Sequence, residues 1–175
     1  MKNFNKLIAI TFLLIIGSFS LQAQGGAKEV FSDKRLPSLS LNDMNGKKVN
    51  VEDYGKNGKI TVLSFWATWC SPCKKELNSI SELYEFWQDD YDMELVAISI
   101  DDVRNISKVK TYVDGQAWDY EVLLDTNEDL KRMMNFQTVP YTVLINKEGR
   151  IVYTHSGYVA GDEYILEDHI KELAR

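Results

Sequence analysis

Only two cysteines occur in the 175 residues, so each is the other's sole possible partner within the chain. Histidine is equally scarce. His155 and His169 stand 14 residues apart in separate elements, unlike the short ligand spacing of a zinc site, so a cysteine pair would lack its two further ligands. Basic residues are in deficit, 20 Lys and Arg against 26 Asp and Glu, which argues against nucleic acid, since neutralising phosphate needs a basic face. Long apolar runs are absent too. The longest, Leu7 to Phe19, covers about 13 residues and falls short of the roughly 20 that a spanning helix needs. With Lys2 and Lys6 before it and Ser20-Leu21-Gln22-Ala23 after it, the run reads as a signal peptide over residues 1–23, with cleavage after Ser20 as the alternative site. No cysteine lies near the cleavage segment, which excludes a lipid anchor on a new N-terminal cysteine. Cleavage would leave 18 basic against 26 acidic side chains, a formal charge of −8. If the segment stays uncut, it tethers the protein to the membrane. There are no internal repeats and no low-complexity segments.

What is present centres on Trp69-Cys70-Ser71-Pro72-Cys73. A Cys-x-x-Cys pair at a helix start makes the first thiol a good nucleophile, because unpaired amides and the partial positive charge of the helix terminus stabilise a thiolate. Pro72 suits the first turn, where no N–H is needed and φ is preset. The motif reads as a redox centre on a helix cap. Its rivals are a structural disulfide, allowed outside the membrane but of little use in so short a loop, and half of a zinc site.

The remaining pattern is α/β. Residues 24–35, with Gly25-Gly26, read as a flexible leader, and 36–175 as one domain. Leu39 and Leu41, then Val49 and Val51, alternate around Asn45-Gly46 as a hairpin. Ile60 to Trp66 is a strand buried on both faces and runs straight into the redox motif. A helix is expected from Pro72 to Gln88, with Leu77, Ile80, Leu83, Tyr84 and Trp87 on one stripe. Then come a strand Glu94–Ile100, a helix Ile106–Val113, a strand Glu121–Leu124 and a helix Asn127–Met134 capped by Thr126. Strands Tyr141–Ile145 and Ile151–Thr154 form a closing hairpin, and a helix Asp162–Leu173 ends the chain. Alternating β and α elements predict a mostly parallel sheet flanked by helices, with antiparallel strands from the hairpin. Functional residues then gather at the carboxyl ends of strands, where the Cys70 loop sits.

The block from Phe65 to Glu76, the segment Thr138-Val139-Pro140-Tyr141-Thr142 and the hairpin from Leu144 to Val152 resemble the thioredoxin superfamily. Within it they are similar to the exported TlpA/ResA-like thiol-disulfide oxidoreductases, whose inserted helix and strand match Ile106 to Leu124. The resemblance covers Leu36 to the end and implies a thioredoxin-like fold with an N-terminal β-hairpin, an inserted α-β element and a central mixed sheet. One position departs from plain thioredoxin: Ser64 replaces a buried Asp six residues before the first cysteine, and a hydroxyl cannot accept the proton that the carboxylate takes.

The resemblance implies that Cys70 attacks a substrate disulfide and that Cys73 resolves the mixed disulfide. Glu76 stands at the head of the apolar stripe, where desolvation raises its pKa and lets it relay the proton of Cys73. The rival for Glu76 is an ordinary acid favoured by the helix dipole. Pro140 is expected to be cis, Val139 to offer its backbone to substrate and Trp69 to form the rim, although a buried anchor is the alternative for Trp69. No metal and no cofactor are expected. The implied partners are protein thiols and disulfides, apocytochrome c among them, with electrons from a membrane thiol donor and the protein acting as an exported, periplasmic monomer. Nothing in the residues fixes the direction, since potentials on this fold run from about −270 to −120 mV. Rival functions are a copper metallochaperone, which would use Cys-x-x-x-Cys with a distant His, and a binding module whose disulfide never cycles. A thiol peroxidase is a third, but Leu63, Ala67 and Thr68 do not supply the Pro and Thr that peroxiredoxins place before the attacking cysteine.

Overall fold

Among the described residues seven strands form one sheet. The computed structural model describes residues 34–116 and 118–175. The expected signal peptide 1–23 and leader residues 24–33 lie outside the described residues. Among the described residues no helix is long and apolar enough to cross a membrane.

The strands are β1 (Ser40–Asp43), β2 (Lys48–Asn50), β3 (Ile60–Trp66), β4 (Met93–Ser99), β5 (Glu121–Leu124), β6 (Tyr141–Ile145) and β7 (Ile151–Ser156). They lie across the sheet in the order β2-β1-β5-β4-β3-β6-β7. The helices are α1 (Ser71–Ser81), α2 (Tyr84–Tyr91), α3 (Ile106–Asp114), α4 (Asp129–Met134) and α5 (Asp162–Ala174). All seven residues of β3 are buried, because β3 lies between β4 and β6 in the sheet interior and helices cover its faces. Helices α1 and α5 contact each other and β3, which seals the apolar stripe of Leu77 and Ile80 against Leu166 and Ile170, all buried.

The sheet is mixed rather than mostly parallel. β3, β4 and β5 pair in parallel, whereas β1 docks antiparallel on β5 and β6 antiparallel on β3. The two hairpins thus occupy both flanks of the parallel centre. The β6–β7 turn requires Gly149. Its φ is +77° and an added Cβ would run into the carbonyl oxygen of Gly55, so only glycine satisfies both the left-handed backbone and the close approach. Lys34 and Arg35 run beside this turn: Ile151 N–H donates to Lys34 O at 2.8 Å, and Arg35 forms an antiparallel β-bridge with Arg150.

Two helix boundaries differ from the sequence reading. The expected single helix from Pro72 to Gln88 is two helices, because the Ser81 hydroxyl donates back to Asn78 O at 2.7 Å and competes with the helical ladder. Nor is α4 capped by Thr126. The Asp125 carboxylate accepts from the amides of Leu130 at 3.2 Å and Lys131 at 3.0 Å, so the helix begins at Asp129 behind a buried acid.

Candidate active site

Strand β3 delivers the chain to the site and β4 holds the loop that follows. Asp101, just past β4, is 2% exposed. Its carboxylate accepts from Thr68 N at 2.8 Å, Thr68 Oγ1 at 2.6 Å and Ser99 Oγ at 2.9 Å. Those bonds pin the loop two residues before Cys70, which itself closes a turn through its N–H to Ala67 O at 3.0 Å. A buried charge accepting three hydrogen bonds is a stiff anchor. Sequence reasoning missed it, since Asp101-Asp102 does not reveal which acid turns inward.

Cys70 is the N-cap of α1 in extended backbone, and its Sγ accepts the N–H of Cys73 at 3.3 Å. Pro72 stands in the first turn. Cys70 and Cys73 are joined by a disulfide with Cα atoms 5.4 Å apart. Cys73 is fully buried and Cys70 is 4% exposed. The capping amide that now meets Cys70 Sγ is the donor that stabilises a thiolate once the bond is reduced. Trp69 is 68% exposed next to the pair, so it is not a buried anchor. The Val139–Pro140 peptide is cis. Register places Tyr141 opposite Phe65, so this proline and the redox loop lie at the same end of adjacent strands, with Val139 half-buried and Pro140 buried.

Glu76 lies one helical turn beyond Cys73, on the same face of α1. It is 4% exposed, and its two oxygens meet hydroxyls only: Thr142 Oγ1 donates to Oε1 at 2.6 Å and Ser64 Oγ to Oε2 at 3.4 Å. Ser64 and Thr142 are direct partners across β3 and β6, so they share a face of the sheet and converge on one carboxyl. Burial pushes the Glu76 pKa up to about 7; the two hydroxyl bonds oppose the rise, and the charges of Asp162 and Glu163 add to it. Sequence reasoning sees in Ser64 only the loss of the thioredoxin Asp. In place, it helps hold the carboxyl that has moved to the helix. Sequence reasoning gives Thr142 no role.

Among the described residues no group of three or more His, Cys, Asp or Glu is arranged to hold a metal ion. The arrangement offers a dithiol or disulfide at a helix cap, a buried carboxyl one helical turn beyond the inner cysteine that burial holds protonated up to about pH 7, and an exposed indole next to the pair.

Residues 33–154 match the AhpC/TSA family. A protein named thiol-disulfide oxidoreductase ResA from Bacillus cereus is 28% identical over 165 residues, covering 94% of this chain and 88% of that protein. The solution structure of a thioredoxin-like protein from Porphyromonas gingivalis is 44% identical, with a TM-score of 0.71, over 79% of this chain and 91% of the other. StoA from Bacillus subtilis shares the fold at 24% identity, with a TM-score of 0.60 over 76% of this chain and 96% of its own.

Proposed function

This chain belongs to the AhpC/TSA family, and we propose that it is an exported thiol-disulfide oxidoreductase that uses Cys70 and Cys73 to reduce disulfides in other exported proteins. The observation that carries the reading is the buried, hydroxyl-held Glu76 one turn from the buried Cys73. A disulfide serving only as a crosslink has no use for a desolvated carboxyl one helical turn from its inner cysteine.

The cycle starts from the reduced pair. Cys70 thiolate attacks one sulfur of the substrate disulfide; the other sulfur leaves as a thiolate and takes a proton from solvent. Cys73 then gives its thiol proton to the Glu76 carboxylate. The resulting Cys73 thiolate attacks Cys70 Sγ and expels the second substrate sulfur. Two electrons have passed to the substrate, the Cys70–Cys73 disulfide has formed and Glu76 holds the proton. A carboxyl with a pKa near 7 suits both taking that proton and losing it afterwards.

Protein substrates suit the surroundings. A shallow groove lined by Ser71, Pro72, Lys75, Tyr158 and Val159 borders the helix cap, and Trp69 stands exposed beside it. In this reading Val139 offers its backbone to the extended substrate segment and the cis Pro140 keeps that edge in place. Export rests on the signal-like residues 1–23. Apocytochrome c as one substrate, a membrane thiol donor that re-reduces the pair, a periplasmic site of action and a monomeric state all belong to the proposal through the TlpA/ResA-like resemblance.

Reduction of insulin disulfides under a dithiothreitol supply tests the activity. The protein is expected to accelerate the reaction at least several-fold over dithiothreitol alone. No acceleration would leave the pair as a crosslink.

A further inference from the structure

Glu76 shares its recess with a second polar group that the cycle above leaves unused. The recess is lined by Glu76, Thr142, Tyr153, His155, Asp162 and Glu163 among others, and its free space is about 10 Å³, the room of about one water molecule. The sheet register explains why they meet. Ser64 pairs with Thr142, and Thr142 pairs with His155 on β7, so three consecutive strands present a polar row on one face. Glu76 sits over two members of that row. The third, His155, holds Asp162 at the start of α5, with Nε2 to Oδ2 at 3.2 Å.

The three carboxyls around the recess are not held alike. Asp162 also accepts from Val159 N at 2.8 Å. Glu163 accepts from Tyr158 Oη and Gly161 N, each at 2.9 Å. Glu76 has neither a backbone amide nor an ion-pair partner among the described residues, only the two hydroxyls. It is therefore the carboxyl most sensitive to any charge nearby. His155 is the group able to change that charge: it is the one imidazole lining the recess, its side chain is 34% exposed to solvent, and an imidazole can carry or lack a proton. Near neutral pH the other titratable neighbours are Tyr153, whose ring lies parallel to His155 at 6.3 Å between centroids and tilted against His169 at 4.2 Å, together with Tyr158 and Tyr120. The tyrosines stay neutral in this range, their pKa values being raised by burial.

We infer that His155, gripped by Asp162, is a positioning residue for the proton step, its charge setting how readily Glu76 accepts the proton of Cys73. With the imidazole protonated, the pair is neutral towards Glu76. Once the imidazole loses its proton, Asp162 and Glu163 act on Glu76 uncompensated and hold the proton on it more tightly. The inference rests on the reading of Glu76 as the base for Cys73.

The test is a ¹³C NMR titration of the Glu76 carboxyl in the oxidised protein, assigned by the resonance lost in Glu76→Gln, for wild type, His155→Gln and Asp162→Asn. Both substitutions keep size and polarity. His155→Gln is expected to raise the Glu76 midpoint, and Asp162→Asn to lower it, each by roughly half a unit to one unit. The pH profile of insulin reduction should move in the same two directions, which loss of packing would not produce. If Glu76 titrates near 7 but both variants leave its midpoint in place, or move it the same way, the inference is overturned while the base reading stands. A wild-type midpoint near the ordinary 4.5 would overturn both.

Discussion

Serine at position 73 will arrest the protein on its substrate, and serine at position 70 will silence it. The two sulfurs differ by place, not by chemistry. Cys70 caps α1, with its Sγ against the amide of Cys73, so its thiolate forms where donors await it. Cys73 is fully buried inside the first turn, within reach of Cys70 Sγ but shut off from a protein substrate. Cys70→Ser therefore removes the nucleophile, and insulin reduction should fall by a factor on the order of 10³ or more. Cys73→Ser leaves attack intact and removes resolution, so a mixed disulfide on Cys70 should accumulate to one equivalent, detectable by non-reducing electrophoresis and intact mass. Trapping by Cys70→Ser through Cys73 would reverse the assigned roles.

The second large effect belongs to Glu76→Gln, in kinetics and in stability. Without a base, the proton of Cys73 must leave unaided, and resolution of the mixed disulfide near pH 7 should slow roughly a hundredfold. The slowing should fade as hydroxide takes over at high pH. Wild-type rates should rise through about pH 7 as the carboxyl ionises. A profile unchanged by Glu76→Gln would remove the base role.

Stability follows from the same burial. In the folded protein the carboxyl stays protonated up to about pH 7, whereas an unperturbed one ionises near 4.5. Between those values the folded state binds more protons than the unfolded state, so stability falls as pH rises and levels off above about 7. The fall attributable to this group is roughly 3 kcal/mol. Glu76→Gln should erase it: the difference between pH 5 and pH 8 in urea unfolding of the oxidised protein should shrink by about that amount. The buried amide carries its own cost, but that cost does not vary with pH, so the difference isolates the carboxyl.

How far these features are legible in the sequence depends on whether they are local. The all-buried β3, the cap at Cys70 with Pro72 behind it, and the strand Tyr141–Ile145 follow from runs and spacings that local physics dictates, and the structure has them at or within a residue of the expected places. The break after Ser81 and the capping of α4 by Asp125 do not, because each turns on one side chain choosing among several backbone partners. Glu76 was visible as an acid at the head of an apolar stripe. Its holders were not, since Ser64 and Thr142 stand 78 positions apart and meet only through the β3–β6 register. In the sequence His155 is an isolated histidine, and its place beside Thr142 likewise requires the register of β6 on β7. Alternation also overstated the parallel part of the sheet, because it carries no information on which flank a hairpin docks.

The most direct test of the central claim is a redox titration of the wild-type protein in glutathione and dithiothreitol buffers, with thiols counted by intact mass after alkylation. The account predicts one two-electron transition that converts both cysteines together, at a potential near or below about −200 mV, as a reductase needs. A transition near −120 mV would make the protein a disulfide donor and contradict the direction proposed, and no transition across the accessible range would contradict the redox cycle itself.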